Sequence, residues 1–201
     1  MHTINIDSMK RNRAGFNPNV ATGSDIHSGS GKQSTRPILL FLRKDPFMEV
    51  HDKVADFTLQ DDQENTVHLS DYAGTPVVLF FYPRADTPGC TIEACGFRDV
   101  FKKIQKTGAI VLGISRDTPR AQAKFKAKYD LPYPLLADVD AKVCKQFGVL
   151  KEKNMYGKKV IGIERTTFLI GPDQRLLKIF PKVKPEGHAE EVLAAVKAAN
   201  A

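Results

Sequence analysis

The run Pro76–Asp99, PVVLFFYPRADTPGCTIEACGFRD, decides how the rest of the chain is read. It opens on Pro76–Tyr82, an almost continuous apolar segment. A strand with one wet face would alternate, so this one reads as a central strand buried on both faces. It closes in a helical pattern that extends to about Lys106, with Phe97, Phe101 and Ile104 at core-facing spacing. Between the two, Thr87 and Pro88 form a helix start: Thr is a good N-cap, and Pro suits the first helical position, where its missing N–H costs nothing. Cys90 therefore falls in the first helical turn, three residues after the cap. Unpaired N–H groups and the positive end of the helix dipole favour the thiolate there. Gly89 keeps the approach to the sulfur open. Glu93, one turn on, acts against the thiolate, so an arginine is expected at the site. A second cysteine, Cys95, follows in the same helix. An inert, buried cysteine is the bland alternative; the position at a cap and the second cysteine speak against it.

Outward from this stretch, the chain after Glu49 reads as one α/β unit. Ala55–Leu59 and Thr66–Leu69 are short β-like pieces around a polar turn. Ala109–Ser115 is a second buried strand, and Thr118–Tyr129 is a helix opened by Asp117 or Thr118 and by Pro119. Leu131–Asp138 holds a short strand, and Ala141–Phe147 is a short helix ended by Gly148. Thr166–Ile170 and Arg175–Phe180 form a hairpin across Gly171–Gln174. Glu186–Ala199 is an amphipathic closing helix with Val192, Leu193 and Val196 turned inward. Strands alternating with helices, then a hairpin and a helix, describe an α/β fold: a mixed central sheet with helices on both faces.

Several separated strings resemble one family. Pro83, Thr87 and Cys90 meet the PxxxTxxC pattern of peroxiredoxins, and TPGCTIEAC resembles the bacterioferritin-comigratory-protein, or peroxiredoxin Q, subfamily. FKAKYDLPYPLLAD (Phe125–Asp138), FGV (Phe147–Val149), KNMYGKK (Lys153–Lys159) and GIERTTFLI (Gly162–Ile170) follow in the family's order. Where the family usually reads DKAPDF, this chain has Ala55 in place of the proline. The resemblance runs from about Glu49 to near the C-terminus and implies a thioredoxin-like fold. It implies a thiol peroxidase acting on hydrogen peroxide and organic hydroperoxides, and a monomer. It also implies that Cys90 is the peroxidatic residue, that Cys95 resolves it as a Cys90–Cys95 disulfide, and that thioredoxin is the reductant.

Such chemistry needs a thiolate, a hydroxyl to orient the peroxide and a fixed positive charge. Cys90 and Thr87 supply the first two. An arginine suits the third, being always charged and presenting a rigid fork of donors. Spacing alone leaves Arg84, Arg98 and Arg165 open; the resemblance points to Arg165, and Arg84 and Arg98 read better as surface groups. Backbone N–H groups of Gly89 and Cys90 are further donors. Cys144 reads as an apolar filler. The histidines show no ligand spacing and Cys90–Cys95 is not a usual zinc pair, so no metal is expected. No GxGxxG or P-loop string indicates a cofactor.

The formal net charge of +7 is uneven. Residues 1–47 hold seven Lys/Arg against three Asp, so the high pI argues poorly for nucleic-acid binding. Three cysteines are not a secreted disulfide framework and fit a reducing, cytoplasmic setting. No apolar run approaches the roughly 20 residues that span a bilayer. Residues 1–47 are polar and aperiodic and are read as a disordered extension, with residues 48–201 as the peroxiredoxin-like domain. A targeting segment, or translation from Met48, are the other readings of that tail.

Overall fold

The computed structural model describes residues 48–155 and 158–199. The extension, residues 1–47, and part of the KNMYGKK string lie outside the described residues. Chain order starts with a small antiparallel hairpin, β1 (Thr58–Gln60) and β2 (Thr66–His68). Its turn is built by Asp61, whose carboxylate accepts the backbone N–H groups of Gln63 and Asn65. A 3-10 turn at Leu69–Tyr72 leads to β3 (Val77–Phe81), every residue of which is buried. Then follow α1 (Pro88–Gln105), β4 (Ile110–Ser115), α2 (Pro119–Tyr129), β5 (Leu135–Ala137) and α3 (Lys142–Gln146). The chain continues with β6 (Leu150–Met155), β7 (Lys158–Ile163), β8 (Thr166–Ile170), β9 (Leu176–Phe180) and α4 (His188–Ala199).

Seven strands form one mixed sheet in the order β2-β1-β5-β4-β3-β8-β9. The centre, β5-β4-β3, is parallel, as the helical crossovers require, and the flanking pairs are antiparallel. Because side chains alternate along β3, Val78 and Phe80 enter one core and Val77, Leu79 and Phe81 the other. The first core is closed by α1, α2 and α4, and Phe80 lies there against Phe97, Tyr82 and Tyr133. The second is closed by the short α3, with Phe147 against Phe57, Phe81 and Phe168. Helices thus cover both faces, and Val192, Leu193 and Val196 are buried.

Two features depart from the pattern in the sequence. Leu150–Met155 and Lys158–Ile163 pair as a separate two-stranded antiparallel sheet, β6–β7, which no apolar alternation announces because Lys and Glu are interspersed along it. The second concerns α2, which is closed not by glycine but by Asp130 in the left-handed region at φ 51°, a conformation Asp tolerates better than most residues.

The topology sets up the site. β3 and β4 are parallel, so both end on the same edge, while β8 runs antiparallel to β3 with Phe81 opposite Thr166. The residues just after β3 and just before β8 therefore meet: the loop Pro83–Thr87 on one side, Arg165 on the other.

Candidate active site

Pro83 has no N–H to donate, and the backbone bond from Tyr82 to Ile114 (3.0 Å) is the last that ties the strand to β4. The chain then turns through Asp86, held at φ 58°. Two carboxylates fix this turn. Asp117, just after β4, accepts the Ala85 N–H at 2.7 Å. Asp86 accepts from Lys128 Nζ (2.8 and 2.9 Å) and from the Tyr129 hydroxyl (2.7 Å), both on α2. These donors hold its carboxyl below the usual carboxylate range, the Lys128 bond being the largest cause. Asp117 is itself set by the Ser115 hydroxyl at 2.7 Å, in a buried chain that continues through Gln122 to the Tyr82 hydroxyl. Asp86 did not stand out in the sequence, being a lone acidic residue in a polar turn, and Asp117 stood out only as a candidate cap of α2.

Thr87 is the N-cap of α1 by backbone conformation, with Pro88 in the first turn. Its side chain does not cap, which corrects the simple reading of Thr87–Pro88. The hydroxyl donates across the turn to the Arg84 carbonyl at 2.9 Å. This has two chemical consequences. The hydroxyl's one proton is spent, so towards any further group it can act only as an acceptor. The N–H groups of the first helical turn are left uncapped and can receive developing negative charge.

Cys90 is buried in that first turn, at 2% exposure, and its thiol is free. Arg165 donates from Nη2 to the Cys90 sulfur at 3.3 Å, and from Nη1 to Glu93 in a short ion pair. Of the three arginines left open by spacing, Arg165 is the one at the sulfur. Arg98 instead bonds Asp99 and the Tyr129 carbonyl, and Arg84 is exposed. Gly89 serves the arginine more than the approach to the sulfur: a Cβ there would stand 3.3 Å from Arg165 Nη2 and 3.5 Å from Pro185.

Glu93 is fully buried, and its Oε1 has no hydrogen-bond partner. Burial pushes its carboxyl up and Arg165 pulls it down; burial prevails, and the group titrates at about 7. Arg165 is held charged all the more firmly, because Glu93 and the Cys90 sulfur outweigh its own desolvation. His188, at the start of α4, lies edge-on to Phe97 and Phe180 with Nε2 2.8 Å from the Thr167 hydroxyl. Burial first, then Arg165, disfavour its charged form, and Glu191 only partly offsets them. Cys95 is half-buried on α1 and free. Cys144 is fully buried beside Asp138, and burial drives its thiol far up, as befits an unreactive filler.

A buried free thiol in the first turn of a helix that starts at Thr87, and a guanidinium on its sulfur, at the strand ends of a thioredoxin-like sheet, define a cysteine peroxidase. The chain belongs to the AhpC/TSA family, whose pattern it matches over residues 50–179. It is 51% identical over 146 residues to a putative peroxiredoxin bcp of Coxiella burnetii, covering 73% of this chain and 97% of that one. It is 44% identical over 150 residues to peroxiredoxin Bcp of Bacillus subtilis, covering 75% and 96%. Among solved structures, a cysteine variant of Xylella fastidiosa PrxQ superposes with a TM-score of 0.73 at 41% identity, covering 77% of this chain and 98% of that one. The trapped intermediate/ligand complex of Xanthomonas campestris bacterioferritin comigratory protein gives 0.70 at 42%, covering 72% and 92%.

Proposed function

We propose that this peroxiredoxin reduces hydrogen peroxide and organic hydroperoxides through Cys90, is resolved by Cys95 and is recycled by thioredoxin. The observation that carries the reading is the Arg165 Nη2 contact with the Cys90 sulfur. That guanidinium complements a thiolate and equally the charge that gathers on a peroxide as its O–O bond breaks. In the first step the sulfur attacks the nearer peroxide oxygen. The O–O bond breaks, its electron pair leaves with the other oxygen, and that oxygen takes up a proton as water or alcohol. Thr87 accepts a hydrogen bond from the peroxide O–H and aligns it, while Arg165 and the N–H groups of Gly89 and Cys90 receive the charge. Pro83 and the Asp86 and Asp117 bonds keep the loop in place. Cys90 is left as a sulfenic acid. The Cys95 thiol displaces its oxygen as water and forms the disulfide; a dithiol thioredoxin then supplies two electrons and two protons and restores both thiols. Organic hydroperoxides are favoured as substrates by the likeness to the Xanthomonas protein, which is described by its alkyl peroxide reduction activity. A monomeric, cytoplasmic enzyme with residues 1–47 as an appendage completes the reading.

The test is peroxide consumption coupled to thioredoxin, thioredoxin reductase and NADPH. Wild type turns over; Cys90→Ser is folded and inactive. Wild-type turnover by Cys90→Ser would overturn the assignment.

A further inference from the structure

We infer that the exposed basic face of α2, together with Arg84, is the docking surface for the reductant, and that it fits a protein dithiol whose reactive site is ringed by carboxylates. This deepens the proposed recycling by thioredoxin and rests on it.

Neither cysteine is freely exposed, so the reductant must reach a segment that opens after oxidation, and its grip must rest on something that does not open. Helix α2 is that strut. It holds the Cys90 side through Lys128 and Tyr129 on Asp86. It holds the Cys95 side through its Tyr129 carbonyl, which accepts from Arg98 on α1 at 3.0 Å. Between these anchors the surface carries an open cleft beside the Pro83–Thr87 loop, with Ala85, Ala121 and Phe125 among its lining and Arg84, Lys124 and Lys128 around it.

The charge there that lacks an ion-pair partner is positive. Arg120, Lys124 and Lys128 are spaced by four, so they share one helix face, and all three are exposed, as is Arg84. The two carboxylates in the cleft, Asp86 and Asp117, are already engaged, by Lys128 and Tyr129 and by Ala85 and Ser115. Arg84, Arg120 and Lys124 have no carboxylate partner among the described residues. Over Arg116–Asp130 five basic residues stand against two acidic ones. Ile92, between the two cysteines on α1, is 44% exposed, and the cleft itself has the apolar Ala85, Ala121 and Phe125 within its basic lining. An apolar centre with a charged border is the anatomy of a transient protein interface, in which rim charges govern encounter rate and partner choice.

The experiment compares two reductants at saturating hydrogen peroxide: thioredoxin with its reductase, and dithiothreitol, a small neutral dithiol that needs no docking. Arg120→Glu/Lys124→Glu should lower kcat/KM for thioredoxin about tenfold, mainly through KM, and blunt its salt dependence, while the dithiothreitol rate holds. The matched charge reversal Lys145→Glu/Lys197→Glu, on other exposed surfaces, should leave both rates as in wild type. An unchanged kcat/KM for thioredoxin in the first variant overturns the docking surface. So does an equal fall in both variants, which reports net charge alone. Wild type that consumes no peroxide even with dithiothreitol overturns the peroxidase reading itself, and the docking surface with it.

Discussion

At the scale of single residues, Arg165 does two jobs that mutation can separate. It faces the Cys90 sulfur, and it neutralises Glu93, a carboxylate with no exposure. Arg165→Ala should slow oxidation of Cys90 about 10²- to 10³-fold, followed by rapid mixing with peroxide. It should also cost about 3–5 kcal/mol of stability by stranding a buried acid. Adding Glu93→Gln should restore most of the stability and none of the rate; recovery of the rate would show that Arg165 matters only for packing. Gly89→Ala is subtler. Its methyl would press the guanidinium from 3.3 Å, so peroxide oxidation should slow severalfold while the thermal midpoint moves little. Glu93 also gives the protein a pH signature. Its carboxyl titrates at about 7 when folded, against 4.5 without the surrounding structure. Between those values the folded chain holds a proton that the unfolded chain has released, so raising pH through the window removes stability. The contribution is full below the lower value and gone above the upper one. The thermal midpoint of Glu93→Gln minus that of wild type should therefore grow from pH 5 to pH 7.5 and then level off.

At the scale of elements, α1 poses a geometric problem. It is intact from Pro88 to Gln105, with both cysteines free. Five residues along a helix are a rise of about 7.5 Å and a rotation of roughly 140° from the starting direction. A disulfide needs Cα atoms within about 7 Å and converging Cβ atoms. If Cys95 resolves Cys90, the first turns of α1 must unwind in the oxidised state. Gly96 has a place in this beyond its poor helix propensity, since its Cα lies close under α4: a Cβ there would meet the Ala189 methyl at 3.4 Å. The oxidised protein should show lower helicity and faster amide exchange over residues 88–97, and Cys95→Ser should oxidise once and then stall with thioredoxin. Peptide mapping that finds Cys90 bonded to Cys144 instead would refute this. Elsewhere α2 rests on an ordinary cap, the Thr118 hydroxyl accepting the Ala121 N–H at 3.3 Å, and Thr118→Ala should cost about 1 kcal/mol in a denaturant titration.

At the scale of the whole molecule, the central sheet carries the stability and its strand ends carry the chemistry. Both cores meet on β3, so the loop that follows it leaves from the most deeply buried strand of the fold. Gly113 on β4 shows how tight this centre is: a Cβ there would stand 2.7 Å from the Phe80 ring and 2.8 Å from Leu135. Gly113→Ala should lower the thermal midpoint clearly, as overpacking costs typically 1–3 kcal/mol. The extension is the opposite case. The family pattern begins at residue 50, so a chain starting at Met48 should match the full chain in thermal stability and peroxide turnover.

Much of this protein was legible in the sequence alone, because local chemistry writes local signals. The apolar run of β3, the Thr87–Pro88 helix start and the placement of Cys90 in a first turn depend on neighbours in sequence, and the structure has the same strand and helix within a residue or two. The β6–β7 pair was not legible, because its lysines and glutamates mask the alternation that marks a strand. The rest of the site was a question of topology. Arg165 lies 75 residues from Cys90, and only the antiparallel register of β8 on β3 brings its guanidinium to the sulfur. Asp117 and Asp86 steady the loop only because parallel β3 and β4 end on one edge and α2 packs beside them. Glu93 could be suspected of opposing the thiolate from its spacing alone. That it is buried, paired with Arg165 and shifted to about 7 depends on what closes over it, and burial is a property of the folded whole.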